Sequence, residues 1–252
     1  MASEQTEAIL LRLVEYSETS LIVTLYTRDL GRVSAIAKGA RRPKSSFEGA
    51  LDLLSVCRIV VITKASDALD ILTEAKLQRR FRAAERGLTR LYCGYYVAEL
   101  LRLWTDDGSP NLELYQLSLE TIAAIDSDAD ALWRLLYFEL QGLRLLGHAP
   151  ATSDCASCGQ PVDRQAARIG FGYSLGGVVC EVCRPRKRDV VTLRREAVER
   201  IEQLQQPAAA IPNGLPANEY RELRAVLSRY ISTSLGAVPR TQSLLPGRWV
   251  AH

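Results

Sequence analysis

Histidine is almost missing from this chain. Two of 252 residues are His, and one of them, His252, is the last residue. Catalysis or metal binding built on clustered imidazoles is thereby excluded in most of its forms. Cysteine is sparse too: six residues are too few for a small disulfide scaffold of this length. There is no excess charge of either sign, since 32 Lys and Arg face 29 Asp and Glu. The net +3 does not by itself indicate a nucleic-acid partner. No apolar run approaches the ~18–20 residues of a membrane helix. The glycine motifs that cradle nucleotide phosphates, the P-loop and G-x-G-x-x-G, are both missing. The opening Met1-Ala-Ser-Glu-Gln-Thr-Glu is polar and acidic, unlike a secretory leader, so the expected compartment is the cytoplasm, where thiols stay reduced. Glu99, Glu113 and Glu139 read as a solvated face and not as paired catalytic acids. The expectation is a protein that is not an enzyme.

What is present is patterned. Five short segments rich in β-branched and aromatic residues occupy the first 80 residues: Thr6–Tyr16, Ser20–Thr27, Gly31–Lys38, Val56–Thr63 and Ala68–Ala75. In the third, Val33, Ala35 and Ala37 alternate with Arg32, Ser34, Ile36 and Lys38, the period of a half-buried strand. Five strands at this spacing suggest a small closed antiparallel barrel, because closure removes exposed edges. An oligonucleotide/oligosaccharide-binding (OB) type of barrel fits; an SH3-like barrel or open meander fits the strand count nearly as well. From about Phe81 the period becomes helical. Helices are expected from there to a stop at Asp107-Gly108-Ser109-Pro110, over Asn111–Ile125, over Ala131–Leu146, over Thr192–Gln206 and over Ala217–Leu235, with Gly236–His252 as a tail. The third is apolar nearly all round, which predicts the buried centre of a bundle. The fold class is therefore α+β, an N-terminal OB-like β-barrel followed by a helical domain with an inserted four-Cys zinc ribbon or knuckle. The boundaries read as barrel 1–80, bundle 81–150, insert 151–189, completing helices 190–236 and tail 237–252.

The insert carries Cys155-Ala-Ser-Cys158 and Cys180-Glu-Val-Cys183, two C-x2-C pairs separated by 21 residues. A two-residue spacer makes a tight turn that aims both sulfurs at one point. Two such turns supply the four thiolates of tetrahedral Zn²⁺. Four Cys ligands leave no open coordination position, so one structural zinc per chain is expected, at Cys155, Cys158, Cys180 and Cys183. Two disulfides or four free thiols are the competing readings. Cys57 and Cys93 stand alone in apolar segments and read as small core residues.

Charge resolves by position. Residues 1–90 hold 15 basic and 11 acidic residues, 184–195 hold six and one, and 96–150 hold three and nine. Arg32, Lys38, Arg41, Arg42 and Lys44 place five cations within 13 residues with no acid between them. Gly39 and Ser45 lie in the same loop. Arginine and lysine neutralise phosphate, a glycine lets backbone approach it and a hydroxyl can donate to it; a solvated surface loop is the simpler alternative. Arg79 and Arg80 belong to a second basic stripe, 76–86. That stripe and Arg184–Arg195 read equally as solvated faces or phosphate contacts. Aromatics for base stacking are few on the barrel: Tyr16, Tyr26 and Phe47.

Lys38-Gly39-Ala40-Arg41, Ser45, Gly49 and Leu51 resemble the signature of the bacterial RecO family, in which K-G-x-R, a Ser and G-x-L follow the third barrel strand. Length, barrel, helical part and four-Cys insert agree with it. Leu53-Leu54 departs from the family's usual Pro-Phe. The resemblance implies a non-catalytic protein of DNA repair and recombination, cytoplasmic and nucleoid-associated in a bacterium. It implies binding of single- and double-stranded DNA, strand annealing, binding of the acidic C-terminal tail of single-stranded DNA-binding protein (SSB), and work with RecR to load RecA. DNA contact is expected at Arg32, Lys38, Arg41, Arg42, Lys44, Ser45, Arg79 and Arg80. The alternative is a zinc-ribbon scaffold protein whose barrel binds protein.

Overall fold

The computed structural model describes residues 2–47, 49–64, 68–127, 129–207 and 216–247. It divides into two compact units, Met1–Ser127 and Asp128–His252.

In the first unit, β1 (Ala2–Glu15), β2 (Leu21–Thr27), β3 (Gly31–Ala37), β4 (Val56–Thr63) and β5 (Asp70–Arg79) close into a barrel in the order β1-β2-β3-β5-β4. β3 and β5 pair in parallel and the other neighbours are antiparallel. This is the OB arrangement, and it settles the choice among small barrels that strand count left open. β1 starts earlier than its apolar pattern suggests. Its polar residues Ser3 to Gln5 are held by pairing with Val60 to Ile62 of β4. A register shift between Leu10 and Arg12 lets the same strand serve β4 with one half and β2 with the other. Inside lie Leu10, Val23, Leu25, Ala35, Ile59 and Val61, each essentially without solvent contact.

Two helices complete this unit, α1 (Leu88–Trp104) and α2 (Leu112–Ile125). Asn111 caps α2 by accepting the Leu114 N–H at 2.9 Å. α1 lies against the barrel wall through Gly94. A Cβ there would stand 2.5 Å from the Phe81 ring and 2.8 Å from Leu54 Cδ1. Leu54, at the point of departure from Pro-Phe, is fully buried and its N–H donates to Leu10 O at 2.8 Å.

The second unit holds α3 (Ala131–Leu145), a three-stranded sheet of β6 (Arg168–Gly172), β7 (Gly177–Val179) and β8 (Val190–Arg194), then α4 (Arg195–Gln205) and α5 (Ala217–Leu235). α3 packs against α4 and α5, so helices from both sides of the insert share one core. The helical stretch 81–150, read above as one bundle, is divided: α1 and α2 fall with the barrel and α3 with the later helices. Thr192–Arg194, expected at the head of a helix, is strand instead. Leu193 pairs with Ile169 of β6, and pairing overrides a weak local helical preference. Pro239 and Leu245 of the expected tail are buried. Most of the Pro/Ala-rich stretch before α5 and the last five residues lie outside the described residues.

One expectation is corrected here. Glu139 is not on a solvated face. It is fully buried on α3 and receives both terminal nitrogens of Arg224, at 2.6 and 2.8 Å, with Arg224 itself 1% exposed. Arg224 Nε donates to Ser228 Oγ at 2.9 Å. Glu113 is exposed, as expected.

Candidate nucleic-acid interface and metal centre

The basic loop follows β3 and is built by its own backbone. Arg42 N–H donates to Gly39 O at 3.0 Å, and Ser45 N–H to Arg42 O at 3.2 Å. Gly39 has φ +72°, a conformation that costs glycine nothing; Lys44 adopts φ +59° without that freedom. The Ser45 hydroxyl donates to Ala40 O at 3.1 Å and accepts the Phe47 N–H at 3.3 Å, so it pins the loop instead of standing ready for a ligand. Phe47 is buried in the barrel and anchors the far end.

Lys38, Arg41, Arg42 and Lys44 are all exposed. The last three rim a hollow of about 370 Å³ whose wall also includes Leu21, Phe47 and Leu51. Arg41 Nη1 lies 3.2 Å from Glu15 Oε2, an exposed pair of the kind worth about 0–1 kcal/mol, which a phosphate can displace. Three of the eight expected contacts are thus brought together as accessible cations, and Lys38 is exposed three residues before them.

The other four are placed differently. Arg32 donates to Asp107 Oδ1 at 2.8 Å and to Arg102 O at 2.6 Å, fastening β3 to the segment after α1. Arg79 is half-buried and donates to Leu119 O at 3.3 Å. Burial draws its pKa down, against the pull of Asp126 and Glu7. Arg80 is exposed but donates to Gly49 O at 2.8 Å, so it braces the end of the basic loop. Ser45 pins that loop, as above. In the later strip, Arg184 is tied to Thr192, Arg194 to Glu222 and Arg195 to Glu196 and Glu199, while Arg186, Lys187 and Arg188 are exposed.

In the second unit Cys155, Cys158, Cys180 and Cys183 converge, all four sulfurs within 4.8 Å of one another. A regular tetrahedron with arms of ~2.3 Å has edges of about 3.8 Å. The Cys158 and Cys180 sulfurs are 3.8 Å apart. No S–S bond joins any of the four. The turns are alike: Gly159 N–H donates to Cys155 O at 2.8 Å, and Arg184 N–H to Cys180 O at 3.0 Å. Burial pushes the Cys155 thiol up, but hydrogen bonds from Cys180, Ser157 and Cys158 outweigh it and bring it down to about 6. Against the pull of the Gln160 N–H, hydrogen bonds with Cys155, Cys183 and Cys180 push the Cys158 thiol up in turn to about 11. The donor set, spacing and convergence fit zinc.

Cys57 and Cys93 are buried, as expected, and Cys57 is pushed up to about 11 by burial. Sequence reasoning missed the Arg224–Glu139 pair. Its one signal was a lone carboxylate in a helix that is otherwise apolar nearly all round.

A closed OB barrel with a cationic loop after its third strand, continuous in sequence with helices and a four-thiol knuckle, defines a class of barrel protein with an appended helical unit that carries four convergent thiols. Comparison with known proteins narrows the class. Residues 1–81 match the family described as Recombination protein O N terminal, and residues 86–243 match Recombination protein O C terminal. The chain is 47% identical to the DNA repair protein RecO of Rhodopirellula baltica, over 96% of this chain and 98% of that protein. It is 34% identical to the RecO of Anaeromyxobacter dehalogenans, over 90% of each chain, and 30% identical to that of Syntrophus aciditrophicus, over 93% and 92%. The chain belongs to the RecO family of DNA repair proteins. Among the described residues no helix is long and apolar enough to cross a membrane.

Proposed function

We propose that this chain is a non-catalytic DNA-binding and strand-annealing protein of recombinational repair. It helps RecR load RecA onto single-stranded DNA coated by SSB, in the bacterial cytoplasm at the nucleoid. The observation that carries this reading is the clustering of exposed Arg41, Arg42 and Lys44 around one hollow in the loop after β3, with Lys38 exposed just before it. Cations of this kind contact the sugar-phosphate backbone, so binding is salt-dependent and indifferent to sequence. Those are the properties annealing requires, since any pair of complementary strands must be served. Arg32, Ser45, Arg79 and Arg80 act as positioning residues that hold the barrel and loop in shape. RecR and the acidic SSB tail are the protein partners.

In the second unit one Zn²⁺ is held by Cys155, Cys158, Cys180 and Cys183. It supplies no chemistry with substrate. It cross-links a segment whose strands are too short to bury a core of their own. The direct test is annealing of complementary fluorescent strands coated with SSB. The reading predicts faster pairing with the protein than without it. Annealing no faster than the spontaneous rate, by folded protein at low salt, contradicts it.

A further inference from the structure

The barrel's outer wall carries a feature that phosphate binding does not use. Tyr16 is 62% exposed, and among the described residues no other aromatic side chain is more than about a third exposed. Tyr26 and Phe47, the other two barrel aromatics, are buried. Tyr16 stands one residue past β1, held in line with the hairpin by its N–H to Ser20 O at 3.1 Å. The basic loop is fastened to the same hairpin. Arg41 N–H donates to Thr19 O at 3.0 Å, and Arg41 Nη1 reaches Glu15.

Beside Tyr16 runs an apolar row. Val14 pairs with Ile22, and Ile22 pairs with Ile36, across β1, β2 and β3. Strand side chains alternate between faces. Val23 and Ala35 fill the barrel core, so Ile22 and Ile36 belong to the outer face. Val14 is 37% exposed and the two isoleucines are partly so. Along the strands the row is bounded by cations, Arg12 two residues before Val14 and Lys38 two residues after Ile36, both exposed. The acid of the hairpin turn, Glu18, lies beyond the row.

We propose that Tyr16, continued by Val14, Ile22 and Ile36, is a platform for the unpaired bases of a single nucleic-acid strand, whose phosphates lie along Arg12, Lys38 and Arg41. This rests on the DNA-binding reading above and adds strand discrimination to it. A flat ring beside an aliphatic strip offers every base a face of equal use, which is why such stacking tolerates any sequence. A duplex keeps its base faces inside the stack and gains nothing from the platform. Cations flanking the row match a polyanion that crosses it, which is what selects a nucleic acid over a neutral protein strand as occupant. With one aromatic, the hold on each strand is light enough for a paired product to leave.

The test uses the full chain and fluorescence anisotropy at low salt. The probes are an oligothymidylate and a hairpin duplex of equal charge, measured against Tyr16→Ala and Tyr16→Phe. Loss of one stacked base weakens binding by about 5- to 100-fold. Tyr16→Ala should show that loss on the single strand alone, with duplex affinity and melting temperature unchanged, and Tyr16→Phe should bind as the parent does. Equal loss on both probes, or no loss on either, overturns the platform while leaving backbone binding intact; the row would then face a protein. A parent chain that binds neither probe overturns the DNA-binding reading itself.

Discussion

At the scale of single residues, the structure separates cations that serve the fold from cations that face solvent. Arg32 and Arg42 lie ten positions apart in one basic run, yet Arg32 is engaged by Asp107 and the Arg102 carbonyl, whereas Arg42 is exposed at the hollow. Arg42→Ala should therefore weaken DNA binding and lower the slope of log affinity against log salt by about 0.7–0.9. Arg32→Ala should leave that slope unchanged and lower the denaturation midpoint. The buried pair obeys a different rule. Arg224→Ala strands the Glu139 carboxylate with its neighbours still around it, and should cost about 3–5 kcal/mol in denaturant titration. Replacing both partners with apolar residues of similar volume should cost much less, because no charge is then left alone. None of this division was legible in the sequence. Charge and spacing are the same for a bound and a free arginine; only the partner brought in from a distant segment distinguishes them.

At the scale of elements, local signals served well where they were strong. The alternation in 31–38 and the span of Ala217–Leu235 correspond to β3 and α5 almost residue for residue, and the two C-x2-C turns converge as their spacing implies. The signals failed where tertiary pairing decided. Ala2 to Gln5 have no strand-like pattern, yet β4 holds them; Thr192 to Arg194 continue a helical pattern, yet β6 holds them. Gly94 is an instance of the same kind, an inconspicuous residue of α1 that admits Phe81 and Leu54. Gly94→Ala should destabilise the first unit by about 1–3 kcal/mol, seen as a lower denaturation midpoint, because the added methyl overlaps the Phe81 ring and Leu54, and Leu54 is fully buried with no room to retreat. If the four-Cys knuckle holds zinc as proposed, elemental analysis should find about one zinc per chain, lost in Cys155→Ser. A chelator should remove hydrogen-exchange protection from 151–183 first, while the barrel strands keep theirs. Protection unchanged after complete metal removal would count against a structural role.

At the scale of the whole chain, the near-neutral total conceals a division of labour. Four of the nine acids of 96–150 are taken up by the fold: Asp107 pairs with Arg32, Asp126 accepts the Arg82 N–H, Asp130 caps α3 and Glu139 holds Arg224. The basic segments keep exposed charge, at the barrel loop and at Arg186–Arg188. Family membership follows from matches that run nearly the length of the chain, while the part played by this chain in repair rests on the exposed loop. The most direct test is DNA affinity measured across a range of salt for the parent and for the triple variant Arg41→Glu, Arg42→Glu, Lys44→Glu. The account predicts that the folded triple variant loses most of its affinity and about two units of salt slope on single strands, at roughly 0.7 per contact. A folded triple variant with the parent's affinity and slope would contradict it.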